Sequence, residues 1–354
     1  MKKLIIIHTT QYGYHTNALM HCLYLSRFYI IRFICLDEGR SHIQPYSGVR
    51  ITYVKHILTK KLTKALFIFV SLFYLLISSS LVMVYFFRGC SVLKALFPRR
   101  KMILDVRTLG VSHNESYNKK YNDILLSTAL EYDYVLFLSR SIKEKLGYPK
   151  HNYSIVPLGA NCLSSKTKDY SRLNLLYVGI FTNRHLEKTI EGVKLFRDRH
   201  PEIDISYTFI GSGAPDVVIK LKEIVQHNKL NDCIRFMGTI PHNQLEPFFS
   251  DATVGVSFVP ITPYYDSQPV TKTYEYAMSG LFVIATATSE NKAVVSDENG
   301  ILIEDDAISF CKGIEHYLSK VKDLNEAKIR ASLASYSWDK IVNTRLLPVI
   351  KSFS

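Results

Sequence analysis

The sequence predicts an α/β protein of two doubly wound, Rossmann-like domains facing across a cleft, with a C-terminal helix crossing back to the first domain. Three observations predict it. Short β-branched apolar runs alternate with longer helical patterns almost throughout, the signature of parallel sheets covered by helices on both faces. The alternation stops at a polar stretch, Leu163–Arg172, and then restarts. The length, 354 residues, suits two domains.

In the first half the expected strands are Leu4–His8, Ile31–Leu36, Ile51–Val54, Leu81–Phe87, Met102–Val106, Tyr134–Leu138 and Tyr153–Val156. After the polar stretch they are Leu173–Val178, Ile205–Ile210, Ile234–Met237, Val254–Val259, Phe282–Ala285 and Gly300–Ile303. Helices are expected over 185–198, 215–228, 243–250, 271–279, 306–319, 324–334 and 338–353. The domains are then 1–165 together with 338–354, and 166–337. Ligands of such sheets sit at the carboxyl ends of the strands.

Hydrophobic residues make up 47% and charged residues 21%, which excludes a disordered or low-complexity chain. The net charge of +13 is unevenly spread. Residues 1–100 hold fourteen Lys/Arg against two acids, Asp37 and Glu38, whereas the remainder is nearly balanced. Such asymmetry points to a polyanionic partner of the first half: nucleic acid, anionic lipid or a phosphorylated substrate. No two of the six cysteines lie within ten residues of each other, which argues against a zinc knuckle, a C-x-x-C redox pair or a disulfide framework.

Lys2-Lys3 and the run Leu4–Ile7 resemble the start of a signal peptide, but the run is too short and a buried first strand fits better. Residues 65–87 are 23 consecutive uncharged residues, and about 20 can span a bilayer. They can instead split into a helix over 62–77, a turn at Ser78-Ser79-Ser80 and a buried strand. A third reading docks the 62–77 helix in a membrane interface, with its lysines near the headgroups.

Three places can carry chemistry. The loop after the first strand, Thr9–Asn17, contains Gly13 and precedes a helix, so its amides can contact an anion or simply form a tight turn. The turn after strand 173–178 starts at Gly179 and carries Arg184, a guanidinium able to hold a diphosphate bidentately, with Lys188 as helper. Pro269–Gly280 reads as a two-turn helix with Thr271 as N-cap and Gly280 as stop. Its free amides, its dipole and Lys272 suit a diphosphate. Glu275 can accept both hydroxyls of a ribose, or merely pair with Lys272 at i,i+3.

Val178-Gly179, Arg184 and Lys188, then Phe209–Gly213, Arg235–Gly238 and Lys272–Ala285 occur in this order and resemble the nucleotide-sugar half of the group 1 glycosyltransferases, the retaining type with the GT-B fold. The resemblance covers 173–303 closely and 1–160 in outline. There, Leu104–Arg107 and Ile155–Ala160 resemble strands of the acceptor domain. It implies a UDP- or GDP-sugar donor in 166–337 and a glycan or lipid-linked acceptor in 1–165. It implies no metal and no cofactor beyond the co-substrate. Arg184 and Lys188 fall where the family contacts the diphosphate, and Glu275 where the second Glu of E-x7-E grips the ribose. Gly238, Thr239 and Ile240 fall near the base. The first Glu of that motif is replaced by Ser267, with Asp266 one residue early and Gln268 one residue late. On the acceptor side, Arg107 and His113 follow a strand and are candidates for contacting acceptor or sugar.

The basic first domain then suits an anionic membrane surface, with the chain peripheral on the inner face of the cell membrane, in the cytoplasm. Two other functions fit less of the sequence. A nucleotide-sugar epimerase on this fold needs a second carboxylate and a protonating His. A nucleic-acid-binding or scaffold protein needs a recognition motif, and no helix-turn-helix, zinc finger or aromatic-basic RNA motif is present.

Overall fold

Thirteen of the apolar runs become strands of two all-parallel sheets, and the helices between them cover both faces. The structure, a computed structural model describing residues 2–353, divides into two units. Unit 1 runs to Leu158 and takes back the chain from Trp338; unit 2 is Gly159–Ser337.

Unit 1 contains β1 (Lys2–Ile7), α1 (Thr16–Leu25), β2 (Tyr29–Asp37), β3 (Val49–Lys55), α2 (Lys60–Ile77), β4 (Leu81–Tyr85), α3 (Ser91–Leu96), β5 (Met102–Val106), α4 (Glu115–Glu131), β6 (Tyr134–Phe137), α5 (Arg140–Leu146) and β7 (Tyr153–Ile155). Their order is β3-β2-β1-β4-β5-β6-β7. Unit 2 contains β8 (Leu173–Ile180), α6 (Glu187–Arg199), β9 (Ile205–Ser212), α7 (Pro215–His227), β10 (Ile234–Phe236), α8 (Glu246–Asp251), β11 (Val254–Ser257), α9 (Thr271–Met278), β12 (Phe282–Thr286), α10 (Ser289–Lys292), β13 (Gly300–Ile303), α11 (Ala307–Lys320) and α12 (Glu326–Ser332). Here the order is β10-β9-β8-β11-β12-β13. The strand order reverses between β1 and β4, and again between β8 and β11; such switch points open a crevice at the carboxyl ends of a parallel sheet.

The C-terminal segment consists of α13 (Trp338–Ile341), a π-turn at Val342–Leu346 and α14 (Leu347–Ser352), and it packs with unit 1. Trp338 meets His21 edge-on, with centroids 6.2 Å apart. The π-turn precedes Pro348, which has no N–H to continue the ladder.

The uncharged stretch 65–87 splits. Thr59 caps α2 by accepting the Leu62 amide at 3.2 Å, and the three serines end it before the fully buried β4. Among the described residues no helix is long and apolar enough to cross a membrane.

β4 stops at Tyr85, so Phe86 and Phe87 lead from the strand into the turn Arg88–Cys90. The strand pair β8–β9 runs beyond Val178 and Ile210 through Gly179↔Gly211. Gly211 has φ +144°, and a Cβ there would collide with the Gly179 carbonyl, so only glycine lets the backbones approach this closely.

The division falls at Leu158, earlier than the polar stretch suggests, because residues 159–172 are tied to unit 2. The Leu163 amide donates to Ser279 Oγ at 2.9 Å, the Ser164 and Ser250 hydroxyls meet at 2.8 Å, and Arg330 donates to the Ser164 carbonyl at 2.7 Å. A stretch polar enough to read as a free linker is spent on hydrogen bonds to α8, α9 and α12.

In unit 2, α9 lies against β11. Gly255 of β11 leaves room for Tyr276, whose ring occupies the place a Cβ would take. The Tyr276 hydroxyl accepts the Val178 amide at 2.8 Å, tying α9 to β8 as well. We predict that Gly255→Ala, which drives a methyl into that ring, destabilises unit 2 by about 1–3 kcal/mol. A lowered thermal-unfolding midpoint with unchanged far-UV circular dichroism at 20 °C (about room temperature) is the expected readout.

Candidate functional site

Unit 2 carries a cavity of about 300 Å³ at the carboxyl ends of β8 and β11, its switch point. The wall is formed by the end of β8 with Gly179 and Ile180, by Val256–Val259, by Tyr265, and by the loop and first turn of α9 from Gln268 to Lys272. Arg184 closes it from the β8–α6 turn. Thus the helical tip at Thr271–Lys272 and the cationic turn at Arg184 line one cavity.

Each part has a local cause. Helix α9 starts after Val270, the actual N-cap, which provides no side-chain cap; Thr271, expected at that position, is the first helical residue. Its leading amides therefore keep their donor capacity toward the cavity. At the other end Gly280, at φ +78°, completes a Schellman motif: the Gly280 amide bonds the Ala277 carbonyl at 2.9 Å and the Leu281 amide the Tyr276 carbonyl at 3.0 Å. Along the buried side, Thr273 Oγ meets the Ser257 hydroxyl at 2.6 Å and Asn291 Oδ1 at 3.0 Å.

The Arg184 turn is held in an uncommon conformation. Asn183 and His185 on either side have φ +58° and +53°. Asn tolerates this region and a His adopts it at some cost. The turn aims the guanidinium over the Tyr265 ring, 4.5 Å from its centroid.

Glu275 is only 3% exposed, yet both carboxylate oxygens are engaged. Lys272 Nζ reaches Oε2, and His242 Nε2 lies 2.9 Å from Oε1. The i,i+3 pair therefore forms, with His242 added, and Glu275 itself is not among the residues that line the cavity. Sequence reasoning missed His242, since it comes from a separate 3₁₀ turn, His242–Gln244, 33 residues away along the chain. Gly238, Thr239 and Ile240 form the loop leading into that turn; Gly238 has φ +71° and its carbonyl accepts the Gly211 amide at 2.8 Å.

Gln268 lines the cavity, and its Nε2 is buried without a hydrogen-bond partner. A buried unsatisfied donor in a cavity wall is a place for a ligand acceptor.

Other expected residues lie elsewhere. Lys188 is not part of the cavity wall: its Nζ donates to the Asp305 carbonyl at 2.6 Å, because α6 turns its first residues toward the loop after β13. Asp266 faces the start of α10, accepting the Ser289 amide and hydroxyl, each at 2.7 Å. Gly13, at φ +93°, belongs to the β1–α1 turn of unit 1 and packs under Ile43, whereas the cavity is built wholly from unit 2. Arg107 is buried rather than lining an open surface. It pairs with Asp105 at 2.7 Å and donates to the Val156 carbonyl at 3.0 Å. His113 is exposed in the turn before α4.

Around Arg107 unit 1 gathers a polar cluster that sequence reading did not find, at the carboxyl ends of β1, β4 and β5. His21 Nδ1 meets the Tyr85 hydroxyl at 2.7 Å, and the His8 ring lies tilted against both His15 and Tyr85, with centroids 4.5 Å from each. Burial, followed by the Arg107 charge, pulls His15 down to about 4, and burial holds His8 and His21 well below their ordinary value. These histidines are neutral in the fold at pH 7. Between about 4 and the ordinary 6.5 the unfolded chain binds more protons than the native one, so stability is complete above that window and is lost as pH falls through it. We expect the melting temperature to fall between pH 7 and pH 5, and to fall less steeply in His15→Asn, which keeps the cap that His15 Nδ1 gives the Ala18 amide.

Residues 172–320 match the family model described as glycosyl transferases group 1. No curated protein matches the chain by sequence. Among solved structures, sucrose-phosphate synthase from Thermosynechococcus elongatus is similar at TM-score 0.74, with 16% identity over 97% of each chain. The Anabaena protein HepE in complex with UDP and glucose is similar at 0.74, with 10% identity over 99% of this chain and 98% of that one. The lipopolysaccharide outer core galactosyltransferase WaaB is similar at 0.72, with 14% identity over 99% of both chains. The fold is therefore the GT-B arrangement of two parallel-sheet units.

Proposed function

With residues 172–320 a group 1 glycosyltransferase domain, we propose that this chain moves a sugar from a nucleotide-diphosphate donor to a hydroxyl of a glycan or lipid-linked acceptor in polysaccharide assembly. The observation that carries the reading is the cavity of unit 2, where Arg184, Lys272 and the uncapped start of α9 converge on one volume. HepE was solved with UDP and glucose, and a UDP- or GDP-sugar is the donor class taken here.

Donor binding follows from charge. The diphosphate lies between the Arg184 guanidinium and the α9 amides, with Lys272 alongside. Glu275 receives the ribose hydroxyls, for which His242 and Lys272 hold its carboxylate in place. The 238–240 loop backs the base. Gln268 supplies its unpaired amide to an oxygen of the donor, in the region where the motif lacks its first Glu.

During transfer the bond between the anomeric carbon and the diphosphate oxygen breaks and a bond to the acceptor oxygen forms. Negative charge grows on the departing diphosphate, and fixed cations and amides in a water-poor crevice stabilise it more than water does. The acceptor proton passes to the departing phosphate, on the face the leaving group vacates, so the configuration is retained. Since Arg184, Lys272 and the helix start supply the positive field, transfer proceeds without a metal. Unit 1, rich in cations, holds the acceptor, with Arg107 and His113 on that side, and brings the chain to an anionic membrane surface on the cytoplasmic side.

A thermal-shift series with UDP, GDP and their sugars tests the donor half. One of them should raise the midpoint, with stabilisation of about 2.7 kcal/mol at a hundredfold excess over Kd. Arg184→Ala is expected to weaken that ligand by about 10–100-fold, the worth of a charge-assisted hydrogen bond. Glu275→Ala should lose the ribose contribution, so that it weakens the nucleotide more than it weakens inorganic pyrophosphate. A full response in both variants contradicts the assignment. Turnover with a glycan acceptor should be the same with and without a chelator.

A further inference from the structure

Helix α2 is covered on one side only. Its buried residues are Thr63, Phe67, Ser71 and Leu75, one every fourth position. At 100° per residue, Leu62, Phe69, Phe73 and Leu76 fall on a line diametrically opposite. These four are exposed, Phe69 at 66% and Leu76 at 74%. Leu58, 97% exposed just before the helix, and Ile77 at its end lengthen the stripe. A helix apolar all round is normally enclosed, by protein or by lipid. Scattered exposed apolar residues need no explanation, but these are not scattered. Of the eighteen large apolar side chains exposed among the described residues, nine lie between Ile57 and Leu96.

The charges around this stripe have one sign. Residues 39–104 contain eleven Lys/Arg and no Asp or Glu. Lys60, Lys61 and Lys64 open the helix and are exposed. Beyond its other end Arg99 and Lys101 are exposed, and Arg100 closes the helix by donating to the carbonyls of Leu75 and Ser80. Lys64 packs over Gly89, and the neighbouring Arg88 guanidinium lies against the rings of Tyr117 and Tyr121, with Nε and Nη2 lacking a hydrogen-bond partner.

We propose that α2 docks this chain on a bilayer containing anionic lipids. The helix lies flat in the interface with Leu62, Phe69, Phe73 and Leu76 among the acyl chains, and the cations at its two ends reach the headgroups. Charge complementarity selects this occupant. A second copy laid face to face would bring the exposed cations flanking the stripe, Lys60, Lys61, Lys64, Arg99 and Lys101, against their own like, and like charges repel across such a contact. The inference stands on unit 1 alone and does not need the transfer reaction.

Co-sedimentation of the full chain with phosphatidylcholine vesicles, with and without phosphatidylglycerol, tests it. Binding should require phosphatidylglycerol and weaken as salt rises. The exposed double variant Phe69→Ser/Phe73→Ser should lower the partition coefficient at least about tenfold, with its melting temperature unchanged as a control for folding. Lys60→Ala/Lys61→Ala should weaken the preference for phosphatidylglycerol. The proposal is overturned if the chain stays in the supernatant with both vesicles, or if the Phe69/Phe73 variant binds as the parent does. It is equally overturned by a stable dimer in gel filtration that this variant dissociates, which would give the stripe to a second copy.

Discussion

Everything at the unit 2 crevice depends on how tightly an eight-residue helix is fixed. Alone, a helix as short as α9 does not hold in water. Here the absence of a side chain at Gly255 lets Tyr276 close onto β11, and the tyrosine hydroxyl reaches back to the Val178 amide of the neighbouring strand. One residue thus bonds the helix across the switch point. The Schellman turn at Gly280 stops the far end, and Thr273 anchors the middle between Ser257 and Asn291. The near end alone is left without a cap, and it is the end that lines the cavity.

The same economy governs the charges. A nearly buried carboxylate such as Glu275 is costly unless paired, and two cationic or ionisable partners from different elements satisfy it. That pairing also fixes Lys272 at the helix start. On the opposite wall, backbone strain at Asn183 and His185 positions Arg184, and the Tyr265 face holds the guanidinium without neutralising it. A carboxylate in that place would have satisfied the arginine and removed its value to an incoming anion.

The strands were legible because parallel sheets bury both faces, so each appears as a continuous apolar run between polar segments. The triple serine was enough to divide 65–87, since a turn there lets both neighbours bury apolar surface. Arg184 and Lys272 were legible from local pattern as well: a strand, a turn and a helix start place them at the strand ends without knowledge of distant contacts. What local pattern does not encode is which distant group a side chain meets. His242 was invisible because its partner is Glu275, far along the chain. Arg107 looked available until Asp105 and the Val156 carbonyl closed around it. Lys188 and Asp266 have the right residue type and nearly the right position, but Asp305 and Ser289 engage them. The histidines of unit 1 come from α1 and from the turn between β1 and α1, and only the sheet order β1-β4-β5 brings Tyr85 and Arg107 to them.

The central claim is spatial, so a crystal structure of the full chain grown with UDP tests it most directly. The account requires the diphosphate to lie within hydrogen-bonding distance of both the Arg184 guanidinium and the amides at Thr271–Lys272, with the ribose against Glu275. Clear density for the nucleotide at any other place, or a diphosphate touching only one of those two walls, would contradict it.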